Sequence, residues 1–410
     1  MSIEQASPAS ISRRSTPFAL TPPSSIPHHV EAELLRRSER RRHITLIHPS
    51  AGVNHTGGSE VMAIELANRL QSYFHVTLLS GADCGEFSQP MRVIQRTRAA
   101  KWMQKRWLNR LLRKLGHHPE IVIEHATSFV PTLTTLLRSK TQLIFPQNDY
   151  GGLAAASVAR ALKGTPILFT EHLGMNADGK CLARNLKFSP DHLVVIDPAS
   201  EAFARSINPN QSISLIPNGV DLDRFTPNGP KIDFGLPGKT VLCVATLNQQ
   251  STKRVELAIE AVRRLPDASL VLCGGGVDRQ LYEDLCNAKL GRDRFKIVQF
   301  PHAQMPQVYR SVDAFTLPSK FEAFGLSYVE AMASGLPVVG TDDPIRRYVI
   351  GEGGVTCDVT DLDQYTDSLK QVLSVDWSDR ARHSARRFNW DSIILQYRDA
   401  IETTLQVANR

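Results

Sequence analysis

The amino-acid sequence predicts an α/β protein built as two doubly wound, Rossmann-like domains facing a cleft. Three observations lead there. Short apolar segments alternate with helix-length segments along most of the chain, the pattern of parallel strands covered by helices on both faces. The alternation breaks once, in a turn-rich stretch near residue 217, and then resumes. A length of 410 residues also exceeds what one compact core usually holds.

Residues 1–40 are Ser/Pro-rich without an apolar period and are expected to form a disordered tail. A first domain over 41–216 begins where basic residues give way to the strand "HITLIH" (43–48). A helix over 59–73 and the strand "HVTLLS" follow. Further strands are expected at "IVIEH" (121–125), "QLIFP", "PILFTEH" and "HLVVID", separated by helices such as "GGLAAASVARALKG". In "SLIPNGVDLDRFTPNGPKIDFGLPGKT" the turn signals Asn-Gly, Pro-Asn-Gly and Leu-Pro-Gly crowd together, which places a boundary near Pro217. A second domain over 217–388 reads "TVLCVATL", a helix over 255–265, "ASLVLCGGG", a helix near 278–288, "FKIVQF", "DAFTLPS", a helix after Gly325 and "LPVVGTD". An amphipathic helix from about Trp390 to Gln406 lies in a closing segment, 389–410, expected to pack back toward the first domain. In doubly wound sheets ligands sit beyond the carboxyl ends of the strands, so the cleft is the expected site.

Composition narrows the function. No run of 18 apolar residues suggests a membrane span, and the N-terminus has no apolar h-region of a signal peptide. Six scattered cysteines without a CxxC pair fit neither a disulfide framework nor a zinc spacing, and imply reduced thiols in a cytoplasmic chain. Residues 1–215 carry 25 Lys and Arg against 16 Asp and Glu, whereas residues 216–410 carry 23 against 25. The basic half is expected to meet an anionic surface. Its most basic stretch, Arg96–His118, has eight Lys or Arg and no acid, with Met103, Trp107, Leu111 and Leu115 at i, i+4 spacing. That is the pattern of an amphipathic helix docking on an anionic membrane face; a core-packed helix with a charged outer side is the alternative. No nucleic-acid-binding motif accompanies it.

The chemistry concentrates in "SKFEAFGLSYVEAMASGLPVV" (319–339). Ser327 and Glu330 fit a helix capping box, with Glu322 a solvated loop acid. The alternative is one site. Glu322 would lie on the loop leaving the strand "DAFTLPS" and Glu330 one turn inside the next helix, with free backbone N–H groups around Gly325 and Leu326 between them. Amides at a helix start favour phosphate, and carboxylates accept hydrogen bonds from polyol hydroxyls. A nucleotide sugar has hydroxyls at both ends and a diphosphate between.

This stretch resembles the E-x7-E signature of retaining glycosyltransferases with the GT-B fold, family 4. "LIHPSAGVNHTGGSEVMAIELANRL", "PILFTEH", "LIPNGVDLDRF" and "FNWDSIILQYRDAI" are similar to further segments of that family, so the likeness runs from about 43 to 406. It implies that Glu330 holds the ribose hydroxyls, and that Glu322 contacts the donor sugar with help from the backbone of Phe324, Gly325 and Leu326. It also implies that Gly57 and Gly58 allow close approach of phosphates or acceptor, and that His172 contacts the transferred sugar. A UDP-, GDP- or ADP-sugar donor and a glycan or lipid-linked acceptor are the implied partners, with front-face displacement as the mechanism. Neither a cofactor nor a metal ion is expected.

The family usually supplies an arginine and a lysine for the diphosphate. Lys253 in "VATLNQQSTKRVELAIEAV" matches the lysine, Thr246 stands near the arginine's place, and Arg254 is a candidate substitute. Asp221-x-Asp223 has the form of a metal-binding D-x-D pair, but turn and cap chemistry accounts for it better. Gly274–Gly276 lacks the spacing of a dinucleotide fingerprint and reads as a tight strand–helix turn. A nucleotide-sugar-binding protein with little catalysis, and a nicotinamide-dependent oxidoreductase, are the competing functions.

Overall fold

The computed structural model describes residues 41–408, apart from 54–56, 104, 106–109, 111–118, 148–150 and 176–177. The expected tail therefore lies outside the described residues, as does most of the basic stretch.

The first half folds around parallel strands. β1 (His43–His48) is followed by α1 (Gly58–Leu70), β2 (His75–Ser80), β3 (Ser88–Pro90), α2 (Arg96–Met103) and α3 (Pro119–Arg138). β4 (Leu143–Pro146), α4 (Gly151–Lys163), β5 (Leu168–Glu171), α5 (Lys180–Leu186), β6 (His192–Val195), α6 (Pro198–Ile207) and β7 (Ile213–Leu215) complete it. The strand orders are β3-β2-β1-β4 and β5-β6-β7, and a parallel bridge from Ile144 to Ile167 joins the two sheets. β1, β4, β5 and β6 are almost wholly buried, as strands covered on both faces must be.

One expected strand is a helix. "IVIEH" lies inside α3. Its β-branched residues favour a strand locally, but the buried positions Glu124, Ser128, Thr132 and Leu136 recur every four residues. That spacing forms one helical face, and tertiary packing decides the outcome.

The second half repeats the design with β8 (Lys239–Val244), α7 (Val255–Arg263), β9 (Ala268–Cys273), α8 (Arg279–Leu290) and β10 (Phe295–Val298). It continues with α9 (Met305–Arg310), β11 (Ala314–Leu317), α10 (Leu326–Ala333), β12 (Val338–Thr341), α11 (Pro344–Ile350) and β13 (Gly354–Cys357). All six strands pair in parallel in the order β10-β9-β8-β11-β12-β13. Strand order reverses at β8/β11 here and at β1/β4 in the first sheet, and crevices of this kind open beyond the strand ends.

After α12 (Leu362–Ser374) and α13 (Ser378–Ala385), the chain returns to the first half. α14 (Trp390–Ala408) places Trp390, Ile393, Tyr397, Ile401 and Leu405 in one apolar cluster with Ile44, Leu46, Leu66 and Phe145. A parallel bridge between Val220 and Asn389 marks where the outgoing and returning segments run side by side.

Candidate functional site

The second sheet contributes two loops from adjacent strands. The loop after β8 carries Lys253 and the loop after β11 carries Glu322, and the Lys320 amide donates to the Thr252 carbonyl at 2.7 Å, fixing one loop on the other. The Lys253 ammonium forms an ion pair with Glu322. Arg254 adopts φ +50° and turns away from Glu322: its Nε donates to the Pro318 carbonyl at 2.7 Å and its Nη2 to Thr341 Oγ1 at 3.2 Å. Burial, and then the nearby Arg346, lower its pKa. Arg254 braces the β11 loop, and Thr246 is exposed at the arginine's expected place.

Gly274–Gly276 pack against this loop's backbone. A Cβ at Gly274 would lie 2.0 Å from the Ala245 carbonyl oxygen, and one at Gly276 would lie 2.0 Å from that of Leu247. Close approach of two main chains explains the run.

The capping box does not form. α10 starts at Leu326 with Gly325 as its N-cap and no side-chain cap, which puts Ser327 inside the first turn. Gly325 sits at φ +88°, and a Cβ there would lie 2.5 Å from the Tyr328 ring. A residue with a side chain fits neither the left-handed backbone nor the space. The buried Glu330 carboxylate instead receives two side-chain hydrogen bonds. His302 Nε2 lies 2.7 Å from Oε1, and the Tyr309 hydroxyl donates to Oε2 at 2.9 Å. Burial, and then the Glu330 charge, push the Tyr309 pKa well above its usual value. A carboxylate has about four lone-pair directions, so these donors leave two for a ligand's hydroxyls.

The first domain supplies the opposite wall. His172 follows directly on β5, and its Nε2 lies 3.0 Å from Gln147 Oε1. Burial, and then neighbouring His48, push its pKa down to about 3, so the ring is neutral at physiological pH. The next loop reaches the second domain: a Cβ at Gly174 would lie 3.3 Å from the Ala323 carbonyl oxygen. A Cβ at Gly58 would lie 3.4 Å from Leu326 Cδ1. The loops carrying Gly58 and His172 thus meet the Glu322–Leu326 segment.

Behind Gly57 lies a polar group that the sequence did not reveal. Ser50 Oγ donates to Glu124 Oε2 at 2.5 Å, the Arg96 amide to Glu124 Oε1 at 2.9 Å, and Arg96 Nε to Glu124 Oε2 at 2.9 Å. Arg96 also lies 3.5 Å from Glu60 Oε1, and a Cβ at Gly57 would strike Glu60 Oε2 at 1.8 Å. The strand reading of 121–125 concealed Glu124. His302 carried no signal, since only the fold pairs it with Glu330.

Asp221 is a turn and ion-pair residue. Its Oδ1 accepts from the amides of Asp223 at 3.1 Å and Arg224 at 2.9 Å, and its Oδ2 from Arg69 at 2.7 Å. Among the described residues no group of three or more His, Cys, Asp or Glu side chains is placed to hold a metal ion.

Comparison with known proteins follows this division. The family model described as "Glycosyltransferase Family 4" matches residues 56–224, and that described as "Glycosyl transferases group 1" matches residues 230–388. The D-inositol 3-phosphate glycosyltransferase of Corynebacterium urealyticum is 28% identical over 209 residues, 45% of this chain and 49% of that protein. The match spans about half the length of such relatives. Mannosylfructose-phosphate synthase of Agrobacterium fabrum is 26% identical over 348 residues, 72% of this chain and 73% of that protein. Among solved structures, the sucrose-phosphate synthase of Thermosynechococcus elongatus superposes with a TM-score of 0.68 at 21% identity, covering 90% of this chain and all of that one. Anabaena HepE in complex with UDP-glucose gives 0.63 at 16% identity, covering 88% and 99%.

Proposed function

Since the chain belongs to the group 1, family 4 glycosyltransferases of the GT-B fold, we propose that it transfers a sugar with retention from a nucleotide-sugar donor to a glycan, lipid or small-molecule acceptor. The observation that carries this reading is the Lys253–Glu322 pair beside the Gly325–Leu326 start of the helix that carries Glu330, against Gly58 and the loop after His172.

The donor lies along the second domain. Glu330 accepts the ribose hydroxyls. The α10 amides and Lys253 meet the diphosphate, whose charge grows as the sugar leaves. Diphosphate entry redirects Lys253 and frees Glu322 to accept from the sugar's hydroxyls. Neutral His172 contacts the transferred sugar, and domain closure excludes water. The departing phosphate helps to deprotonate the acceptor hydroxyl, and no metal ion takes part. Relatives named for inositol phosphate and phosphatidylinositol acceptors, and structural neighbours bound to UDP-sugars, support a donor and acceptor of these classes.

Calorimetry with UDP-, GDP- and ADP-sugars, followed by mass spectrometry and anomeric NMR of products, tests the reading. One donor should bind, and its anomeric configuration should survive transfer in the presence of EDTA. Binding without transfer would favour a donor-binding protein with little catalysis, a reading supported by the exposed Thr246 and the turned-away Arg254.

We also propose a cytoplasmic enzyme that docks on anionic membrane through Arg96–His118. α2 covers the start of this stretch, the rest lies largely outside the described residues, and no helix among the described residues is long and apolar enough to cross a membrane. Co-sedimentation with phosphatidylglycerol vesicles but not phosphatidylcholine vesicles is the expected result; equal partitioning would refute it.

A further inference from the structure

We propose that His302 is a positioning residue that ties the nucleotide end of the donor site to the first domain, through a relay running Glu330–His302–Arg224–Glu65. The proposal rests on the reading of Glu330 as the ribose-binding carboxylate.

The hydrogen bonds fix the state of the imidazole. Arg224 Nη2 lies 3.0 Å from His302 Nδ1 and 2.8 Å from the His302 carbonyl oxygen. A guanidinium only donates, so Nδ1 must offer its lone pair and the ring proton sits on Nε2. That proton faces Glu330 Oε1 at 2.7 Å. Arg224 thus holds His302 by both ring and backbone, in the tautomer that donates to the carboxylate. The Phe225 ring packs beside them, its centroid 5.9 Å from those of His302 and Tyr309.

The other end of the relay belongs to the first domain. Arg224 Nη1 lies 3.6 Å from Glu65 Oε1 on α1, the helix whose first residue, Gly58, meets Leu326. A parallel link runs alongside: Arg69, on the same helix, pairs with Asp221 at 2.7 Å and lies 3.5 Å from Glu65. The two Glu330 oxygens therefore have different anchors. Tyr309 holds one from within the second domain, and His302 holds the other through contacts reaching α1. Displacing α1 takes Glu65 from Arg224 and loosens the clamp on His302. By linkage, a ligand that needs Glu330 in this position favours the seated arrangement of α1, and the seated arrangement favours the ligand.

The test is calorimetric binding of UDP, GDP and ADP to wild type, Glu65→Gln, His302→Asn and the double variant, with melting temperatures recorded for each. Glu65 lies at the far end of the relay from Glu330 and is partly exposed, so Glu65→Gln should fold normally. The relay predicts that Glu65→Gln weakens the bound nucleotide by about two- to fivefold, the range of a partly exposed ion pair. His302→Asn should cost about tenfold or more, as loss of a hydrogen bond to a charged group does. The double variant should bind no worse than His302→Asn alone, because both changes break one chain of contacts. Wild-type affinity in Glu65→Gln would overturn the relay, as would additive losses or lowered melting temperatures with unchanged affinity. If wild type binds none of the three nucleotides, the donor reading itself fails and the relay with it.

Discussion

The ammonium of Lys253 and the carboxylate of Glu322 neutralise each other where the loops after β8 and β11 meet. A diphosphate must therefore compete for Lys253, and a sugar hydroxyl for Glu322. Lys253→Ala should weaken nucleotide-sugar binding by about 10- to 100-fold, the range for loss of a charge-assisted contact. Its binding should also depend less on salt than that of wild type. Calorimetry at two ionic strengths checks both, and unchanged affinity would remove Lys253 from the site.

Glu330 has two duties that two measurements on one variant can separate. Its oxygens accept from His302 and Tyr309, whereas a glutamine offers one oxygen and turns its NH2 toward a donor. Glu330→Gln should therefore lose about 1–3 kcal/mol of stability through an unsatisfied buried donor, together with at least tenfold in nucleoside diphosphate affinity. Urea unfolding and calorimetry read these separately. Lost stability with intact affinity would make Glu330 purely structural.

His172 is held neutral, with its pKa pushed down to about 3. Activity should therefore show no acid limb near pH 6 traceable to this ring. His172→Gln should lower kcat/KM without changing the shape of the pH profile between 5 and 8. A wild-type limb near pH 6 that vanishes in the variant would contradict this.

Buried histidines also set the acid tolerance of the fold. Burial pushes the pKa of His48 down to about 3, with the charges of His125 and Arg96 adding to the shift, and that of His192 down to about 4. In an unfolded chain each titrates near 6.5. Between those values the unfolded state takes up protons that the folded state refuses, so stability falls as pH drops below about 6.5. The slope approaches about 1.4 kcal/mol per pH unit for each ring. Urea midpoints at pH 7 and pH 5 should differ accordingly, and the difference should shrink in His192→Gln.

Gly325→Ala combines a left-handed backbone with a Cβ placed 2.5 Å from the Tyr328 ring. It should cost about 1–3 kcal/mol of stability and displace the start of α10, lowering the melting temperature and donor affinity together. Wild-type values for both would show that the turn relaxes freely.

Much of this was legible in the chain, for identifiable reasons. Strands such as β9 and β11 of the second sheet announce themselves because each is a short apolar run closed by Gly or Pro, whereas β13, "GVTC" at 354–357, has no apolar run and gives no such signal. Gly325 and the spacing of Glu322 and Glu330 place those acids on a loop and a helix at one sheet edge. Local preference misled at Ile121–His125, where β-branched residues sit on a helix whose buried face became visible only over its full length. The same limit hid Glu124, and with it the Ser50–Arg96 contacts. Ser327 and Glu330 have capping-box spacing, yet the helix begins two residues too early for it. The partners of Glu330 were beyond reach, because Tyr309 on α9 and His302 in the turn before it join Glu330 only through the tertiary fold.

The return of α14 to the first domain bears on how the protein is made. Ile44, Leu46 and Phe145 leave the ribosome before the second domain, but the residues that cover them, Trp390 to Leu405, emerge only after it. The second domain can close on its own strands while the first still waits with an apolar face open, the kind of surface that draws chaperones or aggregates. A stop codon just before Trp390 would spare every residue of the donor loops and yet leave the opposite wall without its floor.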